Sequence, residues 1–132
     1  MTSQNMTSMG IVSTGTWFPD TYVTAEDIAR QSGMPEWVVR EKLGIDRKYV
    51  LDPEVHPNDM AVNAAQKAID KAGIDPMDID VVLCTTEEWR EYLLWTTAID
   101  LAYRVGAKRA WGLDIHTRCA TTVAALKLAR SL

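Results

Sequence analysis

Cysteine is scarce in this sequence: the 132 residues contain two, Cys84 and Cys119. Two isolated cysteines form neither a disulfide framework nor a zinc-ligand spacing, so a stapled secreted fold is excluded and a reducing, cytoplasmic setting is expected. Long apolar runs are missing too. No window approaches 18 consecutive apolar residues, and no membrane span is expected. The opening MTSQNMTSM lacks the basic start and apolar stretch of a signal peptide and reads as a disordered lead. The sequence holds no Walker loop, GxGxxG, HExxH or GxSxG pattern. Nucleotide hydrolysis, dinucleotide redox chemistry, zinc proteolysis and serine hydrolysis therefore lack support. Short repeats, low-complexity tracts and a dividing linker are likewise absent.

What is present describes one globular domain or part of a larger one: 47% of residues are hydrophobic, 24% are charged, and the net charge is −4. A chain of this size has the means to bury a core without disulfides or metal. Charge is unevenly spread. Residues 1–106 carry 9 basic and 17 acidic side chains, whereas residues 107–132 carry 5 basic and 1 acidic. A locally basic segment inside an acidic protein is a poor footprint for nucleic acid, although it suits an acidic carrier or a nucleotide phosphate.

Pattern along the chain predicts alternating strands and helices. Residues 10–17, GIVSTGTW, read as a first strand closed by Pro19-Asp20. Thr24 followed by Glu26 and Asp27 is a hydroxyl cap with acids in the first turn, predicting a helix to about Ser32. Pro35 to Leu43, stopped by Gly44, predicts a second short helix, and residues 45–57 a surface loop. Asn58 is placed to cap a longer helix with Met60, Ala61, Ala64, Ala65, Ala68, Ile69 and Ala72 on one face and Gly73 as its stop. Residues 81–85, VVLCT, lack alternation and read as a strand covered on both faces. Residues 92–105 predict a helix ended by Gly106, residues 110–115 a further buried strand, and residues 121–132 a nearly wholly apolar helix enclosed by other layers. This order predicts an α/β architecture with parallel strands. Three strands are few for such a sheet, and the chain reads as cut short.

Cys119 is the leading candidate for chemistry. It follows a predicted strand by a few residues and immediately precedes a helix, a place that favours thiolate and offers backbone N–H groups to an acyl oxyanion. A small buried residue closing a strand–helix turn fits the same position. Position alone leaves both open. Cys84, inside an apolar strand, is assigned no role. His56 and His116 read as structural or exposed, His116 being only three residues before Cys119 and poorly placed as its base. Glu87 and Glu88 follow a predicted strand at its carboxyl end, where α/β sites lie, yet adjacent loop acids are commonly just solvated. Trp37, near Arg40 and Lys42, offers a flat ring beside cations for a nucleotide base or, equally, an anchor for its helix.

Taken together, the segments GIVSTGTWFPDTYVTAEDIA, PEWVVREKLGI, NDMAVNAAQKAIDKAGIDPMDIDVVLCTT and VGAKRAWGLDIHTRCATTVAAL resemble the amino-terminal half of β-ketoacyl-acyl carrier protein synthase III, of the thiolase superfamily. The resemblance runs from about Gly10 to the chain end. It implies a thiolate-dependent acyltransferase with thiolase-like αβαβα layers, of which residues 10–132 form the amino-terminal half, and a homodimer in the full-length form. It implies that Cys119 takes an acyl group from acyl-CoA and condenses it with a malonyl thioester on acyl carrier protein, in fatty acid or polyketide initiation. Coenzyme A enters as substrate, and no resident cofactor or metal is implied. Trp37 matches an aromatic that stacks on the adenine of coenzyme A, with Arg40 or Lys42 as its basic partner. Around the nucleophile the family has small residues, whereas Arg118 precedes Cys119 and Ala120-Thr121-Thr122 follow it. The histidine and asparagine that complete the family's site match no residue here, so the chain alone is expected to acylate slowly at most. Two alternatives remain: a hydroxymethylglutaryl-CoA synthase-like condensation using Glu87, and a non-catalytic subunit that pairs with a separate second half.

Overall fold

A computed structural model of the protein describes residues 9–86 and 92–132. Two compact units are present, one formed by Trp17–His56 and the other by Pro57–Leu132 with the segment ending at Thr16.

In the Trp17–His56 unit, strand β1 (Tyr22–Thr24) runs directly into helix α1 (Ala25–Ser32). The helix starts where the sequence places its cap. Thr24 Oγ1 accepts from the Asp27 backbone N–H at 3.1 Å, while Asp27 Oδ2 accepts from the Thr24 N–H at 3.0 Å. This reciprocal capping box satisfies two donors that a helix start leaves open. The predicted second helix is present but wider than an α-helix. Residues Val38–Lys42 form a π-helical turn, closed by the Leu43 N–H donating to Val38 O at 3.0 Å. Residues 45–57 are not wholly loop. Strand β2 (Arg47–Tyr49) pairs antiparallel with β1, Tyr22 opposite Tyr49. The Arg47 guanidinium lies 5.4 Å from the ring centroid of both tyrosines. Three-residue strands carry almost no periodic signal, and only the partner strand makes them visible.

The second unit carries the layers. Helix α2 (Pro57–Ala72) begins one residue before Asn58, because Pro57 itself fills a helix-start position that needs no N–H. Asn58 is therefore not a cap. It is 2% exposed, and its Nδ2 donates to Asp100 Oδ2 at 2.6 Å, while Arg104 Nη2 donates to Asp59 at 2.7 Å. These bonds tie α2 to helix α3 (Thr97–Arg104). Strands β3 (Val81–Thr85) and β4 (Trp111–Ile115) are parallel and paired throughout, Val81 opposite Trp111 and Thr85 opposite Ile115. Ile69, Ala102, Val105 and Ala107 form the buried cluster, with Val62, Ala65, Ile79, Val82 and Ala110 around it. Gly73 and Gly106 close α2 and α3 in the left-handed region (φ 65° and 86°), as their positions predict.

Further expectations fail here. Residues 10–17 form no strand; instead the chain before Trp17 runs against α2, with Gly15 seated so tightly that a Cβ would be 2.0 Å from Ala64 O. β-Branched residues favour a strand only when a ladder partner is available. Helix α3 starts at Thr97 rather than near Tyr92. Strand β3 is half-buried, β4 exposes Trp111 and Leu113 although its pattern predicts a buried strand, and helix α4 (Thr121–Ala129) buries only Thr121 and Ala125, with Val123 70% exposed. Apolar composition states which surface a helix tolerates, not what covers it. Among the described residues, no helix is long and apolar enough to cross a membrane.

Candidate functional site

The carboxyl ends of β3 and β4 lie side by side, and the residues just beyond them meet. Thr86 Oγ1 and His116 Nε2 are 3.2 Å apart. Beyond His116 the chain turns sharply. Arg118 adopts a left-handed backbone (φ 57°), a single 3-10 turn spans Arg118–Ala120, and α4 follows at once. Cys119 sits in that turn and is exposed. The turn is held by Thr121, whose Oγ1 accepts from the Thr117 N–H at 2.8 Å and donates to Arg118 O at 2.6 Å. A thiol in this place is reachable by a reagent and adjoins the start of α4.

Strand β4 is itself fixed by an interaction that the sequence pattern does not reveal. Asp114 points its carboxylate at the start of α3, accepting from Thr97 N–H at 2.9 Å and Ala98 N–H at 2.8 Å. Thr96, at the cap position, supplies no side-chain bond. Helix α3 therefore begins where a strand residue caps it, which moves the start to Thr97. Gly112 on the same strand lets α3 approach closely, since a Cβ there would lie 2.8 Å from the Ala98 carbonyl carbon.

The remaining candidates fall elsewhere. Cys84 lies opposite Asp114 on half-buried β3, and His56 is exposed. Glu87 and Glu88 lie outside the described residues. Trp37 belongs to the Trp17–His56 unit and is 54% exposed, so buried Val39, not the tryptophan, anchors that turn. Arg40 is already engaged, donating to Glu36 at 2.6 Å and Asp46 at 3.0 Å. The Glu36 hydrogen bond is the main cause holding its guanidinium above the usual arginine value. Lys42 is exposed and makes no ion pair among the described residues. No group of acids, histidines and cysteines suited to a metal occurs among the described residues. Sequence reasoning missed Asp114 and Thr121; the run of threonines after Cys119 was the available signal for the second.

No family model matches the chain. The β-ketoacyl-[acyl-carrier-protein] synthase III of Clostridium perfringens (strain ATCC 13124) is 38% identical over 97 residues, covering 74% of this chain and 29% of that protein. A crystal structure of a 3-oxoacyl-(acyl-carrier-protein) synthase III is 26% identical with a TM-score of 0.83, covering 92% of this chain and 36% of its own. The chain matches the amino-terminal region of β-ketoacyl-[acyl-carrier-protein] synthase III proteins. The priming β-ketosynthase of the R1128 polyketide pathway is 25% identical with a TM-score of 0.81, again over 92% of this chain and 36% of its own. The thiolase-like fold expected from the resemblance is the fold that these structures share with this chain. The chain spans about a third of the curated relatives' length, 29% to 39%.

Proposed function

We propose that this chain carries the nucleophile and part of the coenzyme A surface of a synthase III-type condensing acyltransferase. The carrying observation is Cys119, exposed in the turn between β4 and α4 of a chain whose relatives bear the synthase III name. In the first step the Cys119 thiolate adds to the carbonyl of an acyl-CoA. The tetrahedral oxyanion collapses, the carbon–sulfur bond to coenzyme A breaks, and coenzyme A leaves as its thiolate. In the second, a malonyl thioester on acyl carrier protein loses carbon dioxide, and the resulting carbanion attacks the acyl-cysteine and releases the sulfur. The second step needs donors on the incoming thioester, which match no residue of this chain, and it belongs to a longer or assembled form, expected as a homodimer.

For coenzyme A, Trp37 supplies an exposed ring for the adenine. Of its two neighbouring cations Lys42 is the better phosphate partner, because Arg40 already serves Glu36 and Asp46. Intact mass after incubation with acetyl-CoA tests the reading. An acetyl adduct that maps to the Cys119 peptide and is lost in Cys119→Ala is expected. An adduct that persists in Cys119→Ala, or its absence from both this chain and a longer form, overturns it.

A further inference from the structure

Resting on the reading of Cys119 as nucleophile, we propose that Thr121 is a positioning residue for it. The turn around Cys119 is a place where the backbone would not settle unaided: Arg118 sits at φ 57°, a conformation that costs any residue bearing a Cβ. A buried hydroxyl adds to the backbone bonds of the 3-10 turn in holding it there. Thr121 Oγ1 accepts the Thr117 N–H and donates to Arg118 O, so its bonds reach back across Cys119 and close the loop on both sides of the sulfur-bearing residue. A hydroxyl has one proton to donate and can accept besides. Here both capacities are used. Thr121 is 4% exposed, so water does not compete for either bond. Its Cβ branching restricts χ1 and keeps the oxygen aimed at the turn.

A left-handed residue before the cysteine is effortless for glycine; with Arg118 there, the conformation needs an external hold, and the hydroxyl two residues after Cys119 supplies such a clasp.

The test compares the wild-type chain with Thr121→Ser, Thr121→Val and Thr121→Val/Arg118→Gly. Two readouts serve: iodoacetamide labelling of Cys119 at neutral pH, resolved from Cys84 by peptide mass, and amide exchange along residues 115–130. Thr121→Val keeps the shape and deletes both bonds. It is expected to label Cys119 about fivefold more slowly, the population change when about one net hydrogen bond holding the turn is lost, and to lose protection at the Thr117 amide while α4 keeps its own. Thr121→Ser retains the hydroxyl and is expected to label at the wild-type rate. Adding Arg118→Gly, which takes the left-handed conformation without cost, is expected to restore labelling in the valine background. Wild-type labelling in folded Thr121→Val overturns the proposal, as does slow labelling in Thr121→Ser. Should Thr121→Val not fold, the double variant decides: folding with wild-type labelling supports the clasp, and failure of either overturns it. Acetyl-CoA plays no part here, so a Cys119 that labels as expected but accepts no acetyl group would refute the acyl-transfer reading and leave the clasp standing.

Discussion

Removing the Asp114 carboxylate should uncouple α3 from β4, and the size of the effect follows from where its two hydrogen bonds lie. Thr97 and Ala98 are buried, 8% and 0% exposed, and their N–H groups donate to Asp114 at 2.9 and 2.8 Å. In Asp114→Ala neither donor gains water in exchange. A buried donor left open, or a hydrogen bond to a charged group lost, costs about 1.5 kcal/mol, so the pair amounts to about 3 kcal/mol. Asp114→Asn keeps one acceptor oxygen and should lose about half of that. Urea unfolding followed by far-ultraviolet circular dichroism reads the change. With a slope of about 1.5 kcal/mol per molar urea, alanine should lower the midpoint by about 2 M and asparagine by about 1 M. An alanine variant within about 0.3 M of wild type would show that the cap from β4 does not hold the start of α3. An asparagine variant as damaged as alanine would show that charge, not acceptor geometry, carries the effect.

Gly15→Ala would place a Cβ 2.0 Å from Ala64 O and 2.7 Å from Ala68 N, both backbone atoms of α2 that cannot rotate away. A loss of about 3 kcal/mol, at the upper end for overpacking, is expected in urea titration, with exchange of the residue 10–16 amides accelerated. The Thr24 hydroxyl, followed by the Thr24 N–H, holds the Asp27 carboxyl below the usual aspartate value. The capping box therefore stabilises above about pH 4 and fades as pH falls through the lowered folded-state value. Asp27→Asn should be less stable than wild type at pH 7, and the gap should close near pH 2 in paired thermal melts; a gap that persists in acid contradicts the assignment. Lys42→Ala should raise the KM for acetyl-CoA in an acylation assay by about fivefold, the usual scale for one solvent-exposed phosphate contact, and by more than a variant of Trp37's other neighbour, Arg40→Ala. The reverse order would return the phosphate to Arg40.

What the sequence determined by itself is local. The capping box at Thr24 and Asp27, the glycines that end α2 and α3, and the apolar strands β3 and β4 depend on neighbours a few residues apart, and each stands where its pattern places it. The turn holding Cys119 was legible for the same reason, as a strand followed at once by a helix. Tertiary structure decided what depends on partners distant along the chain. The pairing of β1 with β2 joins residues 23 to 27 positions apart, Thr24↔Arg47 at 23 and Tyr22↔Tyr49 at 27. Asp114 sets the start of α3 from a strand that comes later in the chain, and the segment around Gly15 lies against α2 instead of joining a ladder. Hydrogen-bond partners and close backbone approaches at such separations leave no period in the sequence, because they are chosen by the geometry of the assembled layers.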